Sequence, residues 1–259
     1  MLTMSGQVVL NAAIGITKSR LSQDGIDDHF QVNMLAQLHL GQTLLPRMEA
    51  TALAQGTPAR WVFMSSATHH YTPKQTRFET LAELNQDLGT EAHYYRSKLA
   101  QILIVRQLAL RAGAMSNTNN GQARKAVDHP HCVGKEAFVV EEEVVAPAHV
   151  DVRVLVNATH PGDYNRTALT DNLRVTFGFL GWLLLLILGP FMSDPMTEGC
   201  HSALFACTPN ADLLRRLPNG QYIVPSKRII EPSPRGRDDA GLGENVWRLS
   251  MELLDKKLR

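Results

Sequence analysis

The chain has 259 residues, 44% of them hydrophobic and 20% charged, with a formal net charge of +1. This is globular composition, long enough for one α/β domain with a sizeable core, and the near-neutral charge argues against a nucleic-acid-binding face. Cys132, Cys200 and Cys207 show no metal spacing and no even framework, so they read as reduced intracellular thiols. Residues Met1 to Gln7 lack the basic flank and apolar core of a secretory signal. The expectation is a chain that is cytoplasmic or peripheral to an intracellular membrane.

In chain order, Gln7-Val8-Val9-Leu10 reads as a short buried strand, and Asn11-Ala12-Ala13-Ile14-Gly15 as a turn of small residues. Asp24 to Met48 reads as one long helix, because Phe30, Met34, Leu35, Leu38, Leu45 and Met48 form one apolar stripe. Asn33 falls inside that helix, where a buried amide needs hydrogen-bond partners. Arg60 to Met64 is a second strand ending in Ser65-Ser66. A hydroxyl is thereby placed at the C-terminal end of a strand, the edge where open α/β sheets bind ligands.

A polar loop follows from Ala67 to Glu91, with a short helical turn expected over Phe78 to Leu84. Its neighbouring His69 and His70 point to opposite sides of an extended chain, so they are expected as solvated loop histidines and not as a metal site. His93 to Arg111 is helical, and Tyr94 and Lys98 stand one turn apart on one face. A neighbouring ammonium favours phenolate and would draw the Tyr94 pKa down from its ordinary value of about 10.

From Ala114 to His149 the composition turns polar, which predicts a disordered insert. Asp151 to Asn157 is a third strand, closed by Thr159-His160-Pro161-Gly162. Val175 to Ser193 carries no charge, yet Gly189-Pro190 stops its apolar core well short of the roughly 20 residues a spanning helix needs. It reads as a buried or interfacial helix, with peripheral membrane contact expected through residues 175–191. A helix over Glu198 to Thr208, a last strand over Gln221 to Val224 and an amphipathic helix over Gly243 to Leu258 complete the chain.

Ser66 followed by Tyr94-Tyr95-Arg96-Ser97-Lys98, together with Ser97-Lys98-Leu99-Ala100-Gln101-Ile102-Leu103, resembles the short-chain dehydrogenase/reductases. Within them it resembles the retinol-dehydrogenase-like and protochlorophyllide-reductase-like branch, where a longer loop separates Ser from Tyr. The resemblance implies an α/β fold, a Rossmann-type doubly wound parallel sheet. It is partial here, with about four strands, because no Gly-rich turn follows a first strand and the first βαβαβα half is expected to be absent. Residues 1–113 would be the catalytic half, 114–149 the insert, and 150–259 the continuation with the lid and the C-terminal helix.

The resemblance also assigns roles. Tyr94 would be the general acid/base, Lys98 its partner and a ligand of the nicotinamide ribose, Ser66 the group that polarises the substrate oxygen, and Asn33 the end of a proton relay. Asn11, Ala12, Pro161, Gly162 and Thr167 would line the cofactor with Tyr94 and Lys98, and no metal is implied. NADP is preferred to NAD, and the expected activity is oxidoreduction of a lipophilic carbonyl/alcohol pair. The alternative is an inactive truncated remnant without effective cofactor binding. An unpaired edge at Val8-Val9-Leu10 would favour a homo-oligomer or a partner that covers it.

Overall fold

In the computed structural model the described residues are 6–119, 154–162, 178–179, 183, 186, 199–207, 219–225 and 228–257. Five strands form one sheet in the order β1 (Gln7–Leu10), β2 (Ala59–Met64), β3 (Val154–Thr159), β4 (Tyr222–Val224), β5 (Arg228–Ile230). The first four run parallel and β5 returns antiparallel to β4. Every residue of β2 and β3 is buried, as expected for central parallel strands covered on both faces. Among the described residues β1 pairs with β2 alone and forms the sheet's edge, with Val9 43% exposed. The expected count of four strands becomes five: β5 has only three residues, all exposed, and carries no burial pattern that a sequence could display.

The first helical region begins later than expected, at α1 (Asp28–Phe30). Residues 20–28 are instead folded back on themselves: Ser22 N–H donates to the Ile26 carbonyl, Gly25 takes φ +72°, and Asp28 N–H donates to the Arg20 carbonyl. Asp27 is the N-cap, its Oδ1 accepting from Phe30 N–H at 2.9 Å. A π-helical turn over Gln31–Leu35 follows, then α2 (Ala36–Gln55). This helix runs through Pro46 and stops at Gly56, which adopts φ +64° and caps it.

After β2 come a 3₁₀ turn (Ala67–Tyr71), α3 (Leu81–Leu84) and α4 (Thr90–Asn119). The last is longer than expected at both ends. Gly113 costs helix stability but is no stop by itself, so residues 114–119, assigned to the insert, are helical. The rest of the 114–149 segment, Thr167 and most of 175–193 lie outside the described residues. The chain ends with α5 (His201–Cys207), β4 and β5, α6 (Pro234–Arg237) and α7 (Ala240–Lys257).

Two hydrophobic clusters sandwich the sheet. Trp61 and Phe63 point to the larger one, shared with Phe30, Met34 and Leu38 of the first helical region, Leu99 and Ile102 of α4, and Val246, Leu249 and Leu253 of α7. Val62 points the other way, to Ala206 and Cys207 of α5 and Ile223 of β4. Among the described residues no helix is long and apolar enough to cross a membrane.

Helix α2 approaches the sheet most closely at Gly41, where a Cβ would stand 1.7 Å from Cζ2 of the fully buried Trp61. Gly41→Ala must therefore displace the indole or the helix. Urea unfolding should show a loss of about 1–3 kcal/mol, the usual range for overpacking a core; unchanged stability would mean that α2 does not rest on Trp61 in this way.

Candidate active site

Three strand ends meet at one edge of the sheet: Leu10 leads into the 11–15 loop, Met64 into Ser65-Ser66, and Thr159 into His160-Pro161-Gly162. Helix α4 crosses below them, presenting Tyr94, Ser97, Lys98 and Gln101 on one face. Ser97, Lys98 and Gln101 are almost wholly buried, so each must find a polar partner.

Those partners define the site. Lys98 Nζ donates to the Met64 carbonyl at 2.8 Å and lies 5.5 Å from the centre of the Tyr94 ring. Burial lowers its pKa to about 7. The Tyr94 hydroxyl is hydrogen-bonded to Ser66. Burial raises the Tyr94 pKa above its ordinary value, and the Ser66 bond acts in the opposite direction. The downward shift expected from Lys98 is thus reversed, because desolvation of the phenol dominates. Ser65 donates its hydroxyl to the Lys98 carbonyl at 2.9 Å and its N–H to the Thr159 carbonyl at 2.6 Å, joining α4 to β2 and β3.

Asn33 joins the same assembly from the π turn. Its Nδ2 donates to Ser97 Oγ at 2.9 Å and to the Ile14 carbonyl at 3.0 Å, and its Oδ1 accepts from Ile14 N–H at 2.7 Å. Its backbone carbonyl accepts from Gln101 Nε2 at 2.6 Å. Gln37 Nε2 donates to the Ala12 carbonyl at 2.5 Å. The 11–15 loop is therefore fastened to the helices by two side-chain amides.

Asn33, Ser66, Tyr94 and Lys98 are brought together, and Asn11, Ala12, Pro161 and Gly162 flank them at the neighbouring strand ends. Ser97 and Gln101 were missed by sequence reasoning. Their signal was available, since they share the helix face of Tyr94 and Lys98 at spacings of three and four residues.

His69 is a correction. It is buried, not solvated: Nδ1 donates to the Ser66 carbonyl at 2.7 Å, and Nε2 accepts from Ser233 N–H at 2.9 Å. These bonds fix one neutral tautomer and tie the C-terminal segment to the Ser66 turn. A second unforeseen group surrounds Asp27, Asp28 and His29, whose ligand-type atoms lie within 4.8 Å of one another. Its carboxylates face two histidines and an arginine: Asp27 meets His93 Nδ1 at 2.6 Å, and Asp28 meets His29 Nδ1 at 3.0 Å and Arg20 at 3.1 Å.

Burial lowers the His69 pKa from 6.5 to about 4. The folded state then takes up this proton less readily than the unfolded state. The stabilisation is complete above pH 6.5 and is lost as pH falls through the window from 6.5 to 4, by about 3 kcal/mol over the whole window. His69→Gln removes the titration and retains a donor and an acceptor. Its unfolding free energy should fall less over that window than that of the parent; parallel curves would remove His69 from the acid response.

No family model matches the chain. Among curated proteins it is 31% identical to the WW domain-containing oxidoreductase of Homo sapiens, over 97% of this chain and 49% of that protein. It is 27% identical to retinol dehydrogenase 12 of Bos taurus, over 95% and 60% respectively. It is 24% identical to the chloroplastic short-chain dehydrogenase TIC 32 B of Brassica napus, over 96% and 63%. The chain thus spans about half to two thirds of the length of these relatives. A crystal structure of an uncharacterised protein from Mycobacterium paratuberculosis shares the fold, with a TM-score of 0.57 at 21% identity, over 95% of this chain and 66% of that one.

Proposed function

Because the chain belongs to the short-chain dehydrogenase/reductase family, we propose that it is an NAD(P)-dependent oxidoreductase interconverting a carbonyl and an alcohol. The observation that carries the reading is the grouping of Ser66, Tyr94 and Lys98 at the C-terminal end of β2, with Asn33 bonded into the same network through Ser97. We further propose a lipophilic small-molecule substrate, and NADP in preference to NAD.

The residues present fit the nicotinamide end of such a cofactor. The 11–15 loop follows β1 with small side chains and has its backbone fixed by Asn33 and Gln37. Lys98 and Tyr94 supply donors below it, and Pro161-Gly162 follows β3, with Gly162 at φ +109°. Asn11, Ala12, Pro161 and Gly162 would border the group and Lys98 would hold its ribose. When bound, the nicotinamide gives or receives the hydride.

The protein's own residues manage the proton and the geometry. Ser66 Oγ donates a hydrogen bond to the substrate oxygen, and Tyr94 Oη transfers a proton to it during reduction. The phenol is protonated at neutral pH, as a general acid in the reductive direction requires, while burial makes it a weaker acid than a free tyrosine. Lys98, titrating near 7, stands close enough to restore charge and proton balance around the phenol. Asn33 holds Ser97, and Ser97 Oγ donates to the Tyr94 carbonyl at 2.7 Å, which fixes the turn that carries the acid.

Tyr94→Phe should lower carbonyl reduction by about 10²–10⁴-fold while the NADPH-induced thermal shift persists. The parent chain should show that shift and oxidise NADPH with a lipophilic aldehyde. No shift at millimolar NADPH or NADH would sink the reading for this chain, and a Tyr94→Phe protein of undiminished rate would remove the assigned acid.

A further inference from the structure

Beside the catalytic group lies a cleft of about 370 Å³ between the Ala67–Tyr71 turn and the start of α4. We infer that this cleft is a substrate subsite that takes a neutral, ring-bearing group remote from the reacting carbonyl and refuses an anionic one. The inference rests on the oxidoreductase reading and narrows its substrate class.

Two tyrosines supply the walls. The Tyr71 and Tyr95 rings have centroids 5.8 Å apart and are tilted by 52°. Tyr95 in turn meets the Tyr94 ring edge-on at 6.3 Å. Tyr95 is therefore the partition between the cleft and the proposed acid, so a molecule reacting at Tyr94 has this cleft next to it. Pro73 and Leu88 add apolar surface. The volume falls within the range of small-ligand sites, and aromatic faces favour planar rings through offset and edge contacts.

Charge sets the selectivity. Among the described residues Glu91 is the one charged residue lining the cleft. Its Oε2 accepts from the Tyr95 hydroxyl at 3.2 Å, which orients that ring and leaves the carboxylate's charge at the cleft. A carboxylate or phosphate entering here would face like charge, with no lysine or arginine among the described lining residues. The start of α4 would attract an anion by its dipole, but Glu91, in the first turn, already answers that field. A hydroxyl on the incoming ring, by contrast, can donate to Glu91.

The floor is preformed. Asp87 Oδ1 accepts from Gly89 N–H at 2.9 Å and lies 3.4 Å from His93 Nε2, closing the turn over residues 87–93, and Gly89 adopts φ +95°. His93 Nδ1 is held in turn by buried Asp27. Tyr71, 70% exposed, is the wall free to adjust.

The test measures binding of 2-naphthol and of 2-naphthoate to the full chain without cofactor, by calorimetry or saturation-transfer NMR. Saturable naphthol binding is expected, with naphthoate weaker by about tenfold. Tyr71→Ala should weaken naphthol by up to about tenfold, and Glu91→Gln should bring the two probes to near-equal affinity. Both positions are exposed, so folding is expected to survive and is checked by thermal melts. Absence of naphthol binding, equal affinities in the parent, or a Tyr71→Ala chain binding naphthol as the parent does would each overturn the subsite. The NADPH thermal shift is read separately: its persistence without ring binding removes the subsite alone, whereas its loss with ring binding intact removes the oxidoreductase reading alone.

Discussion

A lysine ammonium withdrawn from water must be met by an oxygen, and the centre of this molecule is arranged around that demand. Lys98 is 2% exposed, and its Nζ reaches the Met64 carbonyl, a group freed where β2 ends. For that carbonyl to be available, β2 must stop at Met64 and turn at Ser65. Ser65 then fastens the turn to the Lys98 carbonyl and to β3. One side chain thereby sets the register between α4 and two strands, and the register determines where Ser66 and Tyr94 meet. Desolvation draws the Lys98 pKa down to about 7 and the Tyr94 pKa up, so the phenol holds its proton more tightly than the ammonium does. That ordering favours proton movement from the ammonium to a phenolate.

The long connection from β2 to α4 has only two short helical turns and is held largely by side-chain hydrogen bonds. His69 links Ser66 to Ser233, and Arg235 donates to the Pro73 and Thr76 carbonyls. Phe78 is buried at φ +55°, a region that a bulky residue seldom adopts. The carboxylate of Glu83 accepts from Arg77 N–H at 2.8 Å and Glu79 N–H at 2.9 Å, the donors on either side of it. The phenyl ring in return packs against Phe30 at 6.1 Å. Such strain persists only where the surroundings over-determine it, and here it fixes the approach to α4 and the turn that underlies the cleft.

Legibility from sequence followed the range of the interactions. The strands at Gln7 and Arg60 announce themselves through short apolar runs, and Tyr94 with Lys98 through spacing within one helix. Other features are settled by distant partners. Asp24 and Asp27 are equally good caps by residue type, and Asp27 prevails because His93 and Asn85, far along the chain, hold it in place. His69 looks like any loop histidine until Ser233, 164 residues later, donates to it. Pro46 occupies an exposed position of α2, and the helix continues past it to the capping Gly56. The direction of the Tyr94 shift could not be read from spacing either, because a neighbouring charge is visible in sequence and desolvation is not.

The π turn at Asn33 joins these themes. The Asn33 carbonyl accepts from Gln101 Nε2, which also donates to Gln37 Oε1 at 2.8 Å. Gln37 then reaches the Ala12 carbonyl, and the Asn33 side chain grips both Ile14 and Ser97. One local departure from helical geometry thus carries a continuous polar chain from the loop after β1 to the face of α4. A substitution that removed the Asn33 side-chain amide would cut this chain at its middle and leave buried polar groups of Ile14 and Ser97 without that partner, each at about 1–3 kcal/mol. The irregular turn thus stands where Asn33 ties the loop after β1 to α4.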